Sequence, residues 1–143
     1  MTDRAAQTTL INASLEKCVA VVLDYEAYPE WAKDVKLAKI RERDDQGRAT
    51  EVEFRASALG RSTHYTLKYD YSEAPNRVSW KLVDGDIMRS LNGAYSFLEV
   101  DAGTQVFYEL DIELVIPLPG FVKRRAEARI LDSVKELKAR AES

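Results

Sequence analysis

The stretch "LNGAYSFLEVDAGTQVFYELDIEL", Leu91 to Leu114, decides how this chain folds. In its second half Val106, Tyr108, Leu110, Ile112 and Leu114 share one parity. Glu109, Asp111 and Glu113 share the other, with Phe107 the exception. A period of two with one apolar and one charged side reads as a strand buried on one face, as antiparallel sheets permit. "DAG" at 101–103 is a turn signal, so the first half is the neighbouring strand. There the inward set is Leu91, Gly93, Tyr95 and Phe97, although Leu98 and Val100 blur the parity.

The same period continues upstream. Turn signals at "DDQG" (44–47), "SALG" (57–60), "EAPN" (73–76) and "DGD" (84–86) cut the region from Val35 to Ile116 into six strands. Short loops join each strand to the next, the pattern of an antiparallel meander. Inward-facing positions are then Val52, Phe54 and Ala56, next Tyr65, Leu67, Tyr69 and Tyr71, and next Val78, Trp80 and Leu82.

Before the meander, "QTTLINA" reads as a strand and Ser14 as the N-cap of a helix with Glu16 in its first turn. Leu15, Val19, Val22 and Leu23 give that helix one apolar face. Pro29 is expected to open a second short helix, "PEWAK". After the meander, "IPLPG" (116–120) stops the sheet, because proline cannot donate to a ladder. The remaining segment has no Gly or Pro, and Val122, Ala126, Ile130, Val134, Leu137 and Ala141 recur three or four apart. One helix of roughly 33 Å is expected there, matching the roughly 36 Å of the longest strands. It can lie along a twisted sheet and cover its apolar face.

At 143 residues the chain is most simply a single domain, 1–143, large enough to bury a core. A formal charge of −3 argues against a nucleic-acid partner, which calls for a broad basic surface. No run approaches the roughly 18 apolar residues of a membrane span, and the first ten residues lack the apolar core of a secretory signal. The single cysteine, Cys18, rules out an internal disulfide and points to a reducing, cytoplasmic setting. Paired cysteines, zinc-ligand spacing and Gly-rich phosphate loops do not occur, so neither a metal nor a cofactor is expected.

Strand, two helices, six-stranded meander, long C-terminal helix: this α+β order, β-α-α-β6-α, resembles the helix-grip fold of the START-like (SRPBCC) superfamily. That superfamily includes the birch-pollen allergen, polyketide cyclase/dehydrase-like proteins and coenzyme Q-binding proteins. The resemblance is carried by "INASLEKCVAVVLDYEAYPEW" (11–31), by the hairpin at 91–114 and by the closing helix. It implies a curved antiparallel sheet gripping the helix around a cavity for a hydrophobic small molecule. It places Tyr25, Tyr28 and Trp31 at the wall and rim.

Six of the chain's nine Tyr and Trp residues, Tyr65, Tyr69, Tyr71, Trp80, Tyr95 and Tyr108, fall on the inward parity of the sheet. Rings with hydroxyls facing a concave space suit a flat or isoprenoid ligand that needs a few hydrogen bonds, although a filled core could use the same residues. The ligand-contact candidates are Trp31, Phe54, Tyr65, Tyr69, Trp80, Leu82, Tyr95, Phe97, Tyr108 and Leu110, with Ile130 and Val134 from the helix. Arg89 shares the parity of Leu91 and is a candidate at the cavity's end. Lys123 and Arg124, in "KRR", are candidates for a transient membrane contact or a ligand headgroup. His64 falls on the outward parity and Cys18 reads as a buried small hydrophobe, so no catalytic residue is assigned. Three functions remain open: a carrier of a lipid, isoprenoid, quinone or polyketide; a polyketide cyclase or dehydrase; and an interaction module with a filled core. The oligomeric state is not fixed by these patterns.

Overall fold

Each period-two run becomes a strand, and each turn signal falls at a strand boundary. The computed structural model describes residues 3–58, 61–115, 117 and 119–143, with Asp3, Ala58, Lys123, Ala126, Glu127 and Ile130 described by backbone alone. The elements are β1 (Asp3–Ile11), α1 (Leu15–Leu23), a 3-10 helix (Tyr25–Glu30), β2 (Val35–Arg43), β3 (Ala49–Ala58), β4 (Arg61–Asp70), β5 (Arg77–Gly85), β6 (Met88–Val100), β7 (Gly103–Leu114), α2 (Gly120–Leu131) and α3 (Ser133–Glu142). The sheet order is β1-β7-β6-β5-β4-β3-β2, every pair antiparallel. The meander holds, and β1 adds itself beside β7 with Ile11 opposite Thr104. This is the helix-grip fold.

Local chemistry explains the boundaries. The Ser14 hydroxyl accepts from the Lys17 amide at 3.1 Å and caps α1. The β2–β3 turn is closed by Asp44, whose carboxylate accepts from the amides of Gln46 and Arg48, each at 2.9 Å. Gly103 has φ +141° where the β6–β7 turn presses on β1, and a Cβ there would lie 2.2 Å from the Ile11 carbonyl oxygen. Only glycine fits. Ile11, Val52, Val78 and Val106 from the sheet meet Val22, Tyr25, Val134 and Leu137 from the helices in a fully buried core. Each such side chain contributes roughly 1.5–3 kcal/mol.

Three expectations need correction. Pro29 does not open an α-helix but lies inside the 3-10 helix. At three residues per turn, Tyr25, Tyr28 and Trp31 share one face; the first two are buried and the third packs on Tyr28 with ring centroids 4.9 Å apart. The C-terminal helix is two segments, because at Asp132 the bonding tightens to Lys135 N–H on the Asp132 carbonyl at 3.0 Å. Asp and Ser at 132–133 are weak helix formers that compete for backbone groups. Lastly, Met88 lies opposite Leu114 and Leu91 opposite Ile112, so β6 carries one extra residue, a β-bulge. The bulge shifts the parity: Met88 and Leu91 are both buried, while Arg89 turns outward, 66% exposed, and pairs with Glu113 at 3.5 Å.

Candidate functional site

A cavity of about 730 Å³ lies between the inner face of the sheet and the C-terminal helices, within the roughly 300–1,000 Å³ typical of ligand sites. Its floor is the inward parity of β3 to β7. Phe54 and Tyr65 stack with ring centroids 5.4 Å apart, and Trp80 stands 6.0, 5.4 and 5.9 Å from Tyr69, Tyr95 and Tyr108. Gly93 makes room for this group: a Cβ at that position would sit 2.7 Å from the Trp80 ring and 2.5 Å from the Glu109 carbonyl oxygen. Trp31 stands at the rim, and Met88, Leu91 and Ile112 complete the far end.

The roof is polar. Val122, Arg125, Arg129, Ser133 and Glu136 line the cavity at spacings of three and four, so one continuous stripe of α2 and α3 faces it. Two of these residues also stitch the roof to the segment after Trp31. Arg129 donates from Nε and from one terminal nitrogen to the two carboxylate oxygens of Asp34, each at 2.7 Å. Glu136 accepts from the Lys33 amide at 2.9 Å. One turn further on, Arg140 reaches Glu30 at 2.9 Å. Arg129 holds the Asp34 carboxyl below the usual carboxylate range, against the opposing effect of burial.

The seven tyrosines divide by their hydroxyl partners. Tyr25 and Tyr71 share a hydrogen bond at 2.9 Å, Tyr71 donates to the Ala49 carbonyl, and Tyr28 donates to the Val22 carbonyl. The four others, Tyr65, Tyr69, Tyr95 and Tyr108, line the cavity, and their hydroxyls bond to none of the described residues. The buried Trp80 indole N–H also finds no acceptor among the described residues. Burial pushes the Tyr65 phenol up to about 12, with Asp34 adding to the effect. Burial raises Tyr69, Tyr95 and Tyr108 as well, and neighbouring phenols add to it. These groups are neutral hydrogen-bond donors and acceptors at physiological pH.

Of the thirteen ligand-contact candidates, Trp31, Phe54, Tyr65, Tyr69, Trp80, Tyr95, Tyr108 and Leu110 lie in the lining. Leu82 and Phe97 pack in or against the core, away from the cavity. Val134 is fully buried in the core, where α3 turns it away from the lining stripe. Arg89 lies outside because of the bulge. The Ile130 side chain falls outside the described residues, as does that of Lys123. The polar roof was missed because a polar helix stripe that faces a cavity carries the same three-and-four spacing as one that faces solvent. His64 lies on the outer face and accepts from Arg55 at 2.9 Å. Cys18 is buried, which raises its thiol. Among the described residues there is no cluster of three or more metal-ligating side chains, and no helix is long and apolar enough to cross a membrane. A second hollow, on the outer face of the sheet, is lined by charged groups that pair with one another, including Arg4 with Asp111 and Arg77 with Glu109, each at 2.9 Å.

A curved antiparallel sheet, a helical cover and an aromatic cavity between them define a START-like protein. The chain belongs to the family described as polyketide cyclase / dehydrase and lipid transport, whose model matches residues 2–142. Comparison with curated proteins gives no match. Among solved structures, it is similar to a START superfamily protein from Mycobacterium smegmatis, with 26% identity over 97% of both chains and a TM-score of 0.89. A protein from Thermus thermophilus is 20% identical over 97% of both chains, TM-score 0.83. An aromatase/cyclase from a Streptomyces species is 14% identical, covers 99% of this chain and 94% of its own, and has a TM-score of 0.83. The latter two share the fold.

Proposed function

We propose that this protein binds and carries a hydrophobic small molecule, a lipid, an isoprenoid or quinone, or a polyketide, in the cavity between sheet and helices. The observation that supports this best is the cavity itself. About 730 Å³ is walled by aromatic rings beside the buried hydrophobic core. Trp31, Phe54, Tyr65, Tyr69, Trp80, Tyr95, Tyr108 and Leu110 are the proposed contacts. The buried, unpaired Cys18 fits a cytoplasmic setting. Exposed Phe121 beside Arg124 fits transient contact with an anionic membrane during loading.

A second reading, cyclase or dehydrase chemistry, is favoured by the neutral tyrosine hydroxyls, which could polarise the carbonyls of a folded polyketide. Native mass spectrometry of the purified protein, followed by denaturing extraction, tests the first reading. A stoichiometric apolar adduct recovered unchanged supports carriage. Conversion of that molecule on prolonged incubation supports the second reading. A protein that purifies empty and takes up no quinone, fatty acid or polyketide would refute both.

A further inference from the structure

Apolar cargo alone does not account for the tyrosines. The protein satisfies the hydroxyls of Tyr25, Tyr28 and Tyr71 internally. Among the described residues it offers no partner to the four that line the cavity, three of which are more than nine-tenths buried. A phenylalanine at any of these places would keep the ring and spare a polar group that an apolar guest must strip of water. An acyl chain entering the cavity would displace water from all four hydroxyls and return nothing, which costs affinity. Oxygen atoms at matching places on a ligand would replace that water bond for bond. The walls are rings: Tyr95 and Tyr108 have centroids 4.9 Å apart, and Trp80 lies within 6.0 Å of both. Flat faces of that kind favour a planar guest over a flexible chain.

We propose that the ligand is a planar molecule bearing several carbonyl or hydroxyl oxygens, held by hydrogen bonds to the hydroxyls of Tyr65, Tyr69, Tyr95 and Tyr108. This rests on the cavity being the ligand site, and it excludes a simple fatty acid as the preferred cargo. Burial keeps the four phenols protonated, so they donate to ligand oxygens and accept from ligand hydroxyls alike.

The chain's two tryptophans, Trp31 and Trp80, both line the cavity, so intrinsic fluorescence reports its occupancy. The full-length protein is titrated with a trihydroxyanthraquinone, with anthracene as the same planar frame without oxygens, and with palmitate. The hydroxyanthraquinone is expected to bind at least about tenfold more tightly than the other two, one lost hydrogen bond being worth about that factor. Tyr95→Phe and Tyr108→Phe should each weaken it several-fold and leave anthracene within about twofold. Equal affinities for the three probes would overturn the proposal and leave the cavity reading standing. So would a preference for the hydroxyanthraquinone that survives both substitutions. Failure of all three to bind would overturn both.

Discussion

Arg129 on α2 and Asp34, three residues past Trp31, meet across the mouth of the cavity through two hydrogen bonds of 2.7 Å. With Glu136 on the Lys33 amide and Arg140 on Glu30, they form a line of polar ties along the open side of the roof. The Arg129 side chain is 63% exposed, so the pair is screened by solvent and breaks readily. A closure of this kind slows a guest's exit only modestly.

Asp34→Asn should therefore speed ligand exchange by a few-fold in stopped-flow fluorescence while changing the dissociation constant by less than about twofold. The pH dependence follows from the lowered carboxyl. Its contribution is complete above the ordinary Asp pKa of 3.8 and is lost as the pH falls through the lower folded-state value. Exchange rates at pH 5 and pH 7 should agree, and acceleration should begin only below about pH 4. A steady rise between pH 7 and pH 5 would assign the gate to another group.

All seven tyrosines are raised above their ordinary value, burial being the largest cause for each. The folded state then holds more protons than the unfolded one above about pH 10, so stability is full below that pH and falls as the pH rises beyond it. Ultraviolet titration should show almost no tyrosinate in the native protein at pH 10. The phenols should ionise together, in step with loss of the circular-dichroism signal. Gradual ionisation of four groups near pH 10 would mean that the cavity tyrosines are hydrated like surface residues.

Gly93 and Trp80 form one unit, because the indole occupies the space that a Cβ would need. Gly93→Ala should destabilise the fold by about 1–3 kcal/mol through overpacking, measured by urea unfolding, and should displace Trp80 enough to weaken binding. Trp80→Ala is more severe: truncating a buried tryptophan costs about 3–5 kcal/mol. Trp80→Phe, which keeps most of the ring volume, is the variant that separates binding from folding. It should stay folded and lose affinity.

The strand pattern was legible because one face of the sheet is wet, and Glu109, Asp111 and Glu113 announce it. The position of β1 beside β7 was not legible, since no local signal specifies a partner about a hundred residues away. The bulge at Arg89 escaped for a related reason. A single inserted residue leaves a run such as "MRSLNG" looking regular, yet it reverses which side chains face the cavity. Parity put Tyr65, Tyr69, Trp80, Tyr95 and Tyr108 on the inner face of the sheet, but it put Leu82 and Phe97 there too, and the cavity over that face was implied by the resemblance rather than by parity. Arg125, Arg129, Ser133 and Glu136 could not be placed at all, because a polar stripe facing a cavity and one facing solvent have the same spacing.

The central claim is that space between sheet and helices is left open for a guest, and Ala56 tests it most directly. Its buried methyl group lies in the cavity lining between Val35 and Thr63 on the neighbouring strands. Urea unfolding of the Ala56→Phe variant decides the matter. If the cavity is real, the added ring enters open space and stability changes by less than about 1 kcal/mol in either direction. A loss of about 1–3 kcal/mol, the cost of forcing bulk into a filled core, would contradict the account.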